Sequence, residues 1–335
     1  MPPPRRIFLT GGTGLVGSHL AERLVASGHA VVALVRENSD TRHLRTLGAE
    51  LRPGDLLDAA GTHAARMEGC DAVVHTAALV FTRAAAADFH RANVLGTESV
   101  VRGAAGAGIR RVVHVSSIAV YGGEGTRRPI REEDWLRGEI AAGAAYARSK
   151  RDAERVAWAL AETERLELTT LRPGVIYGER DRAFAPLLAR VLRAPVLPLP
   201  GGGQARPPVV YAGSVAAAIE SALFLVRAAG RSYTLAADST LSVRAFIDAF
   251  ARELGRRPRL VTVPGTPVLA SAALLDLAAR VLPGVPTVRV RRAARRLLED
   301  HPFDQARAEE ELGWGRVTEA EAAIAATAKW LADGR

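Results

Sequence analysis

The chain has 335 residues, of which 48% are hydrophobic and 24% charged, with a single cysteine and a formal net charge of +9. That length supports one large domain or two lobes, and a core of this size needs no disulfide or metal staples. The positive charge raises nucleic acid as a partner. The arginines are scattered, however, and the one dense cluster (Arg289, Arg291, Arg292, Arg295 and Arg296) reads as a solvated helix face, so no nucleic acid is expected.

No apolar run reaches the roughly 18 residues of a membrane span. The longest, Val268 to Leu282, is broken by Asp276 and Arg280 and reads as an amphipathic helix. Gly11, Gly12 and Gly14 interrupt the N-terminal apolar run, which leaves no signal-peptide core. The expectation is a cytoplasmic protein with no integral membrane segment and no metal. Cys70 reads as a small buried hydrophobe. Only two of the 45 basic residues are lysine, Lys150 and Lys329. A lysine inside a motif of so arginine-rich a chain invites a chemical reason.

In chain order, Ile7 to Thr10 reads as a strand, followed by a glycine-rich turn and a helix from about Leu15 to Ser27. Ala30 to Val35, Ala72 to His75 and Arg111 to Val115 are further strands. Near-continuous apolar strands separated by helices predict a parallel sheet covered on both faces, and right-handed crossovers make it doubly wound. A helix with Tyr146 in its first turns runs to about Thr163, and Leu168 to Arg172 is the next strand. Pro195, Pro198, Pro200 and Gly201 to Gly203 then mark a long loop, and Pro207-Pro208 begins a short strand. From about Leu241 the pattern is mostly helical. The fold class is therefore α/β: a Rossmann-type doubly wound parallel sheet with a smaller, mostly helical C-terminal substrate lobe. The expected division is 1–173, with 207–237 returning to it, as the dinucleotide domain, and 174–206 with 238–335 as the lobe.

The first strand runs into Gly11, Gly14 and Gly17, spaced G-x-x-G-x-x-G between strand and helix. That context is the one that gives the motif meaning. Gly11 makes the tight turn, Gly14 admits a pyrophosphate, and Gly17 lets the helix pack against the strand. The amides around Thr13, Leu15 and Val16 lie at a helix N-terminus suited to phosphate. The alternative is a tight turn with no ligand. An NAD enzyme often carries Asp or Glu where the second strand ends. Here Val35 is followed by Arg36, which suits the 2′-phosphate of NADP(H), with Ser39 and Arg42 assisting. NAD(H) stays open as the alternative. Asp55 and Leu56 follow the third strand, where an adenine would lie, and the small Ala77 and Ala78 follow the fourth.

Ser116-Ser117 ends the fifth strand, and Tyr146-Ala147-Arg148-Ser149-Lys150 follows. The i, i+4 spacing puts Tyr146 and Lys150 on one helix face. With five tyrosines and two lysines in the chain, chance rarely produces such a pair. Carbonyl reduction needs a proton for the developing alkoxide. Tyrosine is a poor acid at its ordinary pKa of about 10, and a nearby ammonium lowers it. Lysine supplies that charge and donors for the nucleotide ribose, while a serine hydroxyl polarises the carbonyl. In reverse, Tyr146 is the general base.

These residues, with G-D-L at 54–56, H-T-A-A at 75–78, N-V-L-G-T at 93–97, V-S-S-I-A-V-Y-G at 115–122, L-R-P-G-V-I-Y-G at 171–178 and E-L-G-W at 311–314, resemble the extended short-chain dehydrogenase/reductase superfamily over nearly the whole chain. Within it the chain is most similar to the 3β-hydroxysteroid dehydrogenase and dihydroflavonol reductase branch. The resemblance implies a Ser117, Tyr146 and Lys150 triad supported by Asn93, with Ser117 chosen over Ser116, and a nicotinamide carboxamide held by backbone around Pro173 to Val175. Two departures matter. Ala212 to Ala216 replaces a V-D-D-V-A-like segment. Ile118-Ala119 stands where sugar-nucleotide dehydratases carry Asp-Glu.

The leading expectation is thus an NADPH-dependent ketone reductase, or reversible alcohol dehydrogenase, for a mainly apolar small molecule of steroid, flavonoid or β-keto-acyl type. Phe81, Trp135, Phe184 and Leu197 are candidates for its pocket or for lobe core. The alternative is a nucleotide-sugar epimerase with tightly held NAD, which needs a diphosphate clamp from Arg206 or the arginines after Gly178. A third class, a non-catalytic NADP sensor or scaffold, is disfavoured because Tyr146 and Lys150 are both present. A homodimer is compatible with such a fold, though no residue here demonstrates it.

Overall fold

A computed structural model describes residues 5–80, 84–122, 129–141, 143–271, 297–315 and 319–333. Strands β1 (Arg6–Thr10), β2 (Ala30–Val35), β3 (Glu50–Pro53), β4 (Ala72–His75), β5 (Arg111–Val115) and β6 (Glu167–Pro173) alternate with helices, and β10 (Arg231–Leu235) joins them late in the chain. They form one seven-stranded parallel sheet in the order β10-β6-β5-β4-β1-β2-β3. The order reverses between β1 and β4, which opens the crevice where open α/β sheets bind ligands.

The central strands are apolar on both faces because both are covered. Ile7, Leu9, Val31 and Ala33 pack with α1 (Leu15–Ala26) and α8 (Ala212–Phe224). Phe8, Val32, Val73 and Val112 pack on the other face with α5 (Gly96–Gly106) and α6 (Ala145–Thr163). At about 25 cal/mol per Å² of apolar surface, these two layers are the principal stabilising term.

Beyond β6 the chain builds two small parallel pairs: β7 (Val175–Tyr177) with β9 (Val209–Tyr211), and β8 (Val196–Pro200) with β11 (Arg259–Val263). A third core forms there from Tyr177, Leu197, Phe246, Phe250 and Ile324. Two expectations change. The stretch read as a long loop contains β8, whose Leu197 and Leu199 turn inward while Val196 and Pro198 stay exposed. Prolines are tolerated because a two-stranded pair is all edge. The region read as mostly helical contains β11, whose Val261, Thr262 and Val263 favour a strand. The arginine cluster at 289–296, Phe81 and most of the amphipathic stretch from Val268 to Leu282 lie outside the described residues.

Candidate active site

The C-terminal strand ends bring the motif residues to one edge. Gly11 takes φ +75°, and a Cβ there would meet Ala77 N at 2.7 Å. A Cβ on Gly17 would lie 2.2 Å from Gly11 O. Both glycines are therefore required by the fold itself. Gly14 differs. It is exposed, and a Cβ on it would meet only Gly11 O, at 3.2 Å. Helix α1 begins at Leu15 with no side-chain cap and no acidic residue in its first turn. The Leu15 and Val16 amides lack acceptors within the helix, and beside the half-buried Thr13 they fit a pyrophosphate at the positive helix end.

Arg36 follows β2, is exposed, and makes no ion pair among the described residues. It fits a 2′-phosphate. Ser39 donates its amide to Arg36 O at 3.0 Å. Arg42, expected to assist, is instead forked onto Asp40 through Nε–Oδ1 at 3.0 Å and Nη2–Oδ2 at 2.7 Å. Asp55 is exposed and accepts the Leu57 amide at 3.0 Å, while Leu56 is half-buried against Gly96. Ala77 and Ala78 line the turn after β4, and the close approach of Gly11 to Ala77 explains the small residues there.

Asn93 is buried in a π-helical turn, His90–Leu95, that leads into α5. Such turns recur at functional sites. Asn93 Oδ1 accepts the Leu79 amide at 2.6 Å, and Nδ2 donates to Leu79 O at 3.1 Å and to Ser149 Oγ at 2.9 Å. It thus ties the turn after β4 to the Tyr146 helix. Its own carbonyl accepts the Thr97 hydroxyl at 2.6 Å. With that proton spent, Thr97 accepts from His75 Nε2 at 3.0 Å, so His75 Nδ1 accepts from Thr10 Oγ1 at 2.7 Å. Burial, reinforced by the Lys150 charge, pushes His75 down to about 3, which keeps it neutral. His114 stacks on it at 5.3 Å.

Ser117 caps a 3₁₀ turn, Ile118–Tyr121, by accepting the Ala119 amide at 3.2 Å. The Ser117 hydroxyl also lies beside the Tyr146 phenol and favours its ionised form. The structure therefore brings Ser117 to Tyr146, whereas the buried Ser116 hydroxyl has no partner among the described residues. Lys150, one turn along α6, is 2% exposed and donates Nζ to Val115 O at 2.8 Å. Burial lowers it to about 8, opposed by the Glu154 charge. Burial also pushes the Tyr146 phenol up, opposed by the neighbouring Ser117 hydroxyl. The lowering expected from the ammonium is thus reversed, because Lys150 is tied to β5 and the half-buried phenol loses water.

Pro173 ends β6 and Val175 opens β7. The Gly174 and Val175 amides are spent on Leu235 O (2.9 Å) and Pro208 O (2.7 Å), so any carboxamide contact falls to other atoms of this segment. Of the three described candidates for pocket or core, Trp135 lines a cavity with Glu132, Trp158 and Arg172, and the other two pack. Trp135 lies over the Arg172 guanidinium at 5.2 Å, and Phe184 and Leu197 belong to the lobe core. Two of the clamp candidates are engaged, while Arg182 is exposed and makes no ion pair among the described residues. Arg180 binds Glu22 at 2.8 Å, and Arg206 lies 3.8 Å from Asp300. Glu154, Thr97 and the hydrogen-bonding roles of His75 and Arg172 were not singled out from sequence. The i, i+4 spacing of Lys150 and Glu154 was the available signal.

A switch-point crevice, an uncapped phosphate turn and a Ser–Tyr–Lys constellation define a dinucleotide-dependent α/β enzyme. The NAD-dependent epimerase/dehydratase family model matches residues 7–236, and the chain belongs to that family, within the extended short-chain dehydrogenases/reductases. It is an NAD(P)-dependent oxidoreductase of that type. It is 33% identical, over 93% of both chains, to a 4-hydroxy-2-methyl-3-oxo-4-farnesyl-3,4-dihydroquinoline-1-oxide ketoreductase of Stigmatella aurantiaca. It is 31% identical, over 75% of this chain and 76% of the relative, to a 2-alkyl-3-oxoalkanoate reductase of Stenotrophomonas maltophilia. Its fold matches a UDP-glucose 4-epimerase of Stenotrophomonas maltophila holding NAD and formylated UDP-arabinopyranose, with TM-score 0.75, 23% identity and 98% coverage of both chains. Among the described residues no helix is long and apolar enough to cross a membrane.

Proposed function

We propose that the chain is an NADPH-dependent carbonyl reductase for a mainly apolar ketone of β-keto-acyl type. The observation that carries this reading is the gathering of three groups at the end of β5: the Tyr146 phenol lies beside the Ser117 hydroxyl and one helical turn from Lys150, whose Nζ donates to Val115 O at 2.8 Å. The coenzyme, when bound along Gly11 to Val16 with its 2′-phosphate near Arg36, supplies the hydride.

Tyr146 donates its proton to the developing alkoxide. Its raised phenol stays protonated through neutrality, which suits reduction. Ser117 donates a hydrogen bond to the substrate oxygen. Lys150, cationic below about pH 8, has further N–H donors beyond its bond to Val115 O, which would hold the nucleotide ribose. Asn93 positions the turn after β4 through Leu79. Residues 1–173 with 207–237 make the coenzyme-binding part, and 174–206 with 238–335 the substrate lobe.

The epimerase reading draws on the likeness to the NAD-holding structure. It needs a diphosphate clamp; Arg180 and Arg206 lie beside carboxylates, which leaves the exposed Arg182 as the candidate with no ion pair among the described residues. The test is NADPH oxidation by purified protein over a panel of 3-oxo acyl, steroid and flavonoid ketones, beside mass spectrometry of the denatured protein. The reductase reading expects turnover of an apolar ketone and no retained nucleotide. Tightly retained NAD with epimerisation of a sugar nucleotide overturns it.

A further inference from the structure

The geometry points to Arg172, Glu154 and Tyr121 as positioning residues that set the Ser117–Tyr146 contact. The inference rests on the reading of that contact as the reactive centre.

Arg172 lies on β6 and Glu154 on α6, two turns beyond Tyr146, and they are 1% and 0% exposed. All five guanidinium N–H groups have an acceptor. Nε donates to Glu154 at 3.0 Å, and Nη2 to Glu154 at 2.5 Å and Ser232 Oγ at 3.3 Å. Nη1 donates to Tyr121 Oη at 2.9 Å and to Glu132 O at 2.8 Å. Because Tyr121 Oη accepts from Arg172, it donates its own proton to Thr234 Oγ1, at 2.5 Å. The guanidinium also lies over the Tyr121 ring at 5.1 Å.

Tyr121 is the last residue of the 3₁₀ turn whose cap is Ser117. Glu154 is rigidly part of the helix that carries Tyr146. Arg172 therefore joins the two separately folded pieces that supply the two hydroxyls. Arg151 adds a second tie across the same seam, from Nε to Val120 O at 2.8 Å. A buried ion pair often stabilises a fold no better than apolar residues of similar volume. Five directed donors specify orientation, which apolar packing does not, and a displacement of about 1 Å at a reactive centre costs on the order of 100-fold in rate.

The double substitution Glu154→Leu with Arg172→Met separates packing from positioning. We expect melting at or above the wild-type temperature, unchanged NADPH affinity, and kcat on the preferred ketone lowered on the order of 100-fold. Its crystal structure should show the Ser117 hydroxyl displaced from the Tyr146 phenol. Wild-type kcat and an intact contact in the double variant overturn the proposal. Tyr121→Phe keeps the ion pair and the ring and removes only the hydroxyl tie, so it tests the same idea if the double variant does not fold. Here kcat should fall about 10-fold with KM for NADPH unchanged, measured below the lowered melting temperature that the unmet Arg172 donor brings; an unchanged kcat overturns the proposal. If the wild-type protein turns over no ketone, the reactive-centre reading fails by itself, while the crystallographic contact still reports on the positioning claim.

Discussion

At the scale of single residues, environment decides which proton each group holds. Lys150 is fully buried, and its pKa falls to about 8, so its supporting charge is present below that pH and lost above it. The kcat/KM for ketone reduction should fall on an alkaline limb with a midpoint near 8, and a profile flat to pH 10 would contradict the assignment. Stability carries the same signature with the opposite slope. The folded pKa lies below the unfolded value of about 10.4, so burial of the ammonium opposes folding fully below pH 8. That cost is relieved as pH rises from 8 to about 10.4. Denaturation of the wild type against Lys150→Met over this range should show the gain only in the wild type. Tyr146→Phe should lower kcat by about 10²- to 10⁴-fold with coenzyme affinity retained. Arg36→Ala should weaken NADPH about 10- to 100-fold and leave NADH unchanged, since a charged hydrogen bond contributes about 1.5–3 kcal/mol; equal loss for both coenzymes would remove Arg36 from the 2′-phosphate site.

At the scale of elements, the phosphate turn and the π-helical turn do different work. Gly17→Ala places a methyl 2.2 Å from Gly11 O, and the strand–helix junction must shift to admit it. We expect a loss of about 1–3 kcal/mol in stability together with coenzyme binding, measured by denaturant titration and fluorescence; retained NADPH affinity would contradict the close-packing account. Most of this was legible in the sequence. Gly11, Gly14 and Gly17 announced the turn, the Tyr146–Lys150 spacing announced one helix face, and β1, β2, β4 and β5 fell where the apolar runs lie. What the sequence withheld depends on contacts between distant segments. Arg172 lies near the end of a strand whose motif looks ordinary, and only folding brings Glu154, Tyr121 and Ser232 around it. Phe184 and Leu197 could be read as pocket wall or as core because apolar character does not say which surface a side chain meets. Prolines at 198 and 200 hid a strand that survives because it has one neighbour.

At the scale of the whole molecule, the parallel sheet puts every chemistry-bearing segment at the same edge. The turn after β1, Arg36 after β2, Ala77 after β4 and Ser117 after β5 follow successive strand ends, and α6 crosses beside them with Tyr146 and Lys150. The reversal of strand order between β1 and β4 leaves the crevice for a dinucleotide. The most direct test of the reductase account is a turnover with NADPH deuterated at the transferable hydrogen, supplied with the apolar ketone that reacts best. The account predicts deuterium on the former carbonyl carbon of the released alcohol, one label per NADPH oxidised, and its loss in Tyr146→Phe. Unlabelled product with no net NADPH oxidation, alongside epimerisation of a sugar nucleotide, would contradict it.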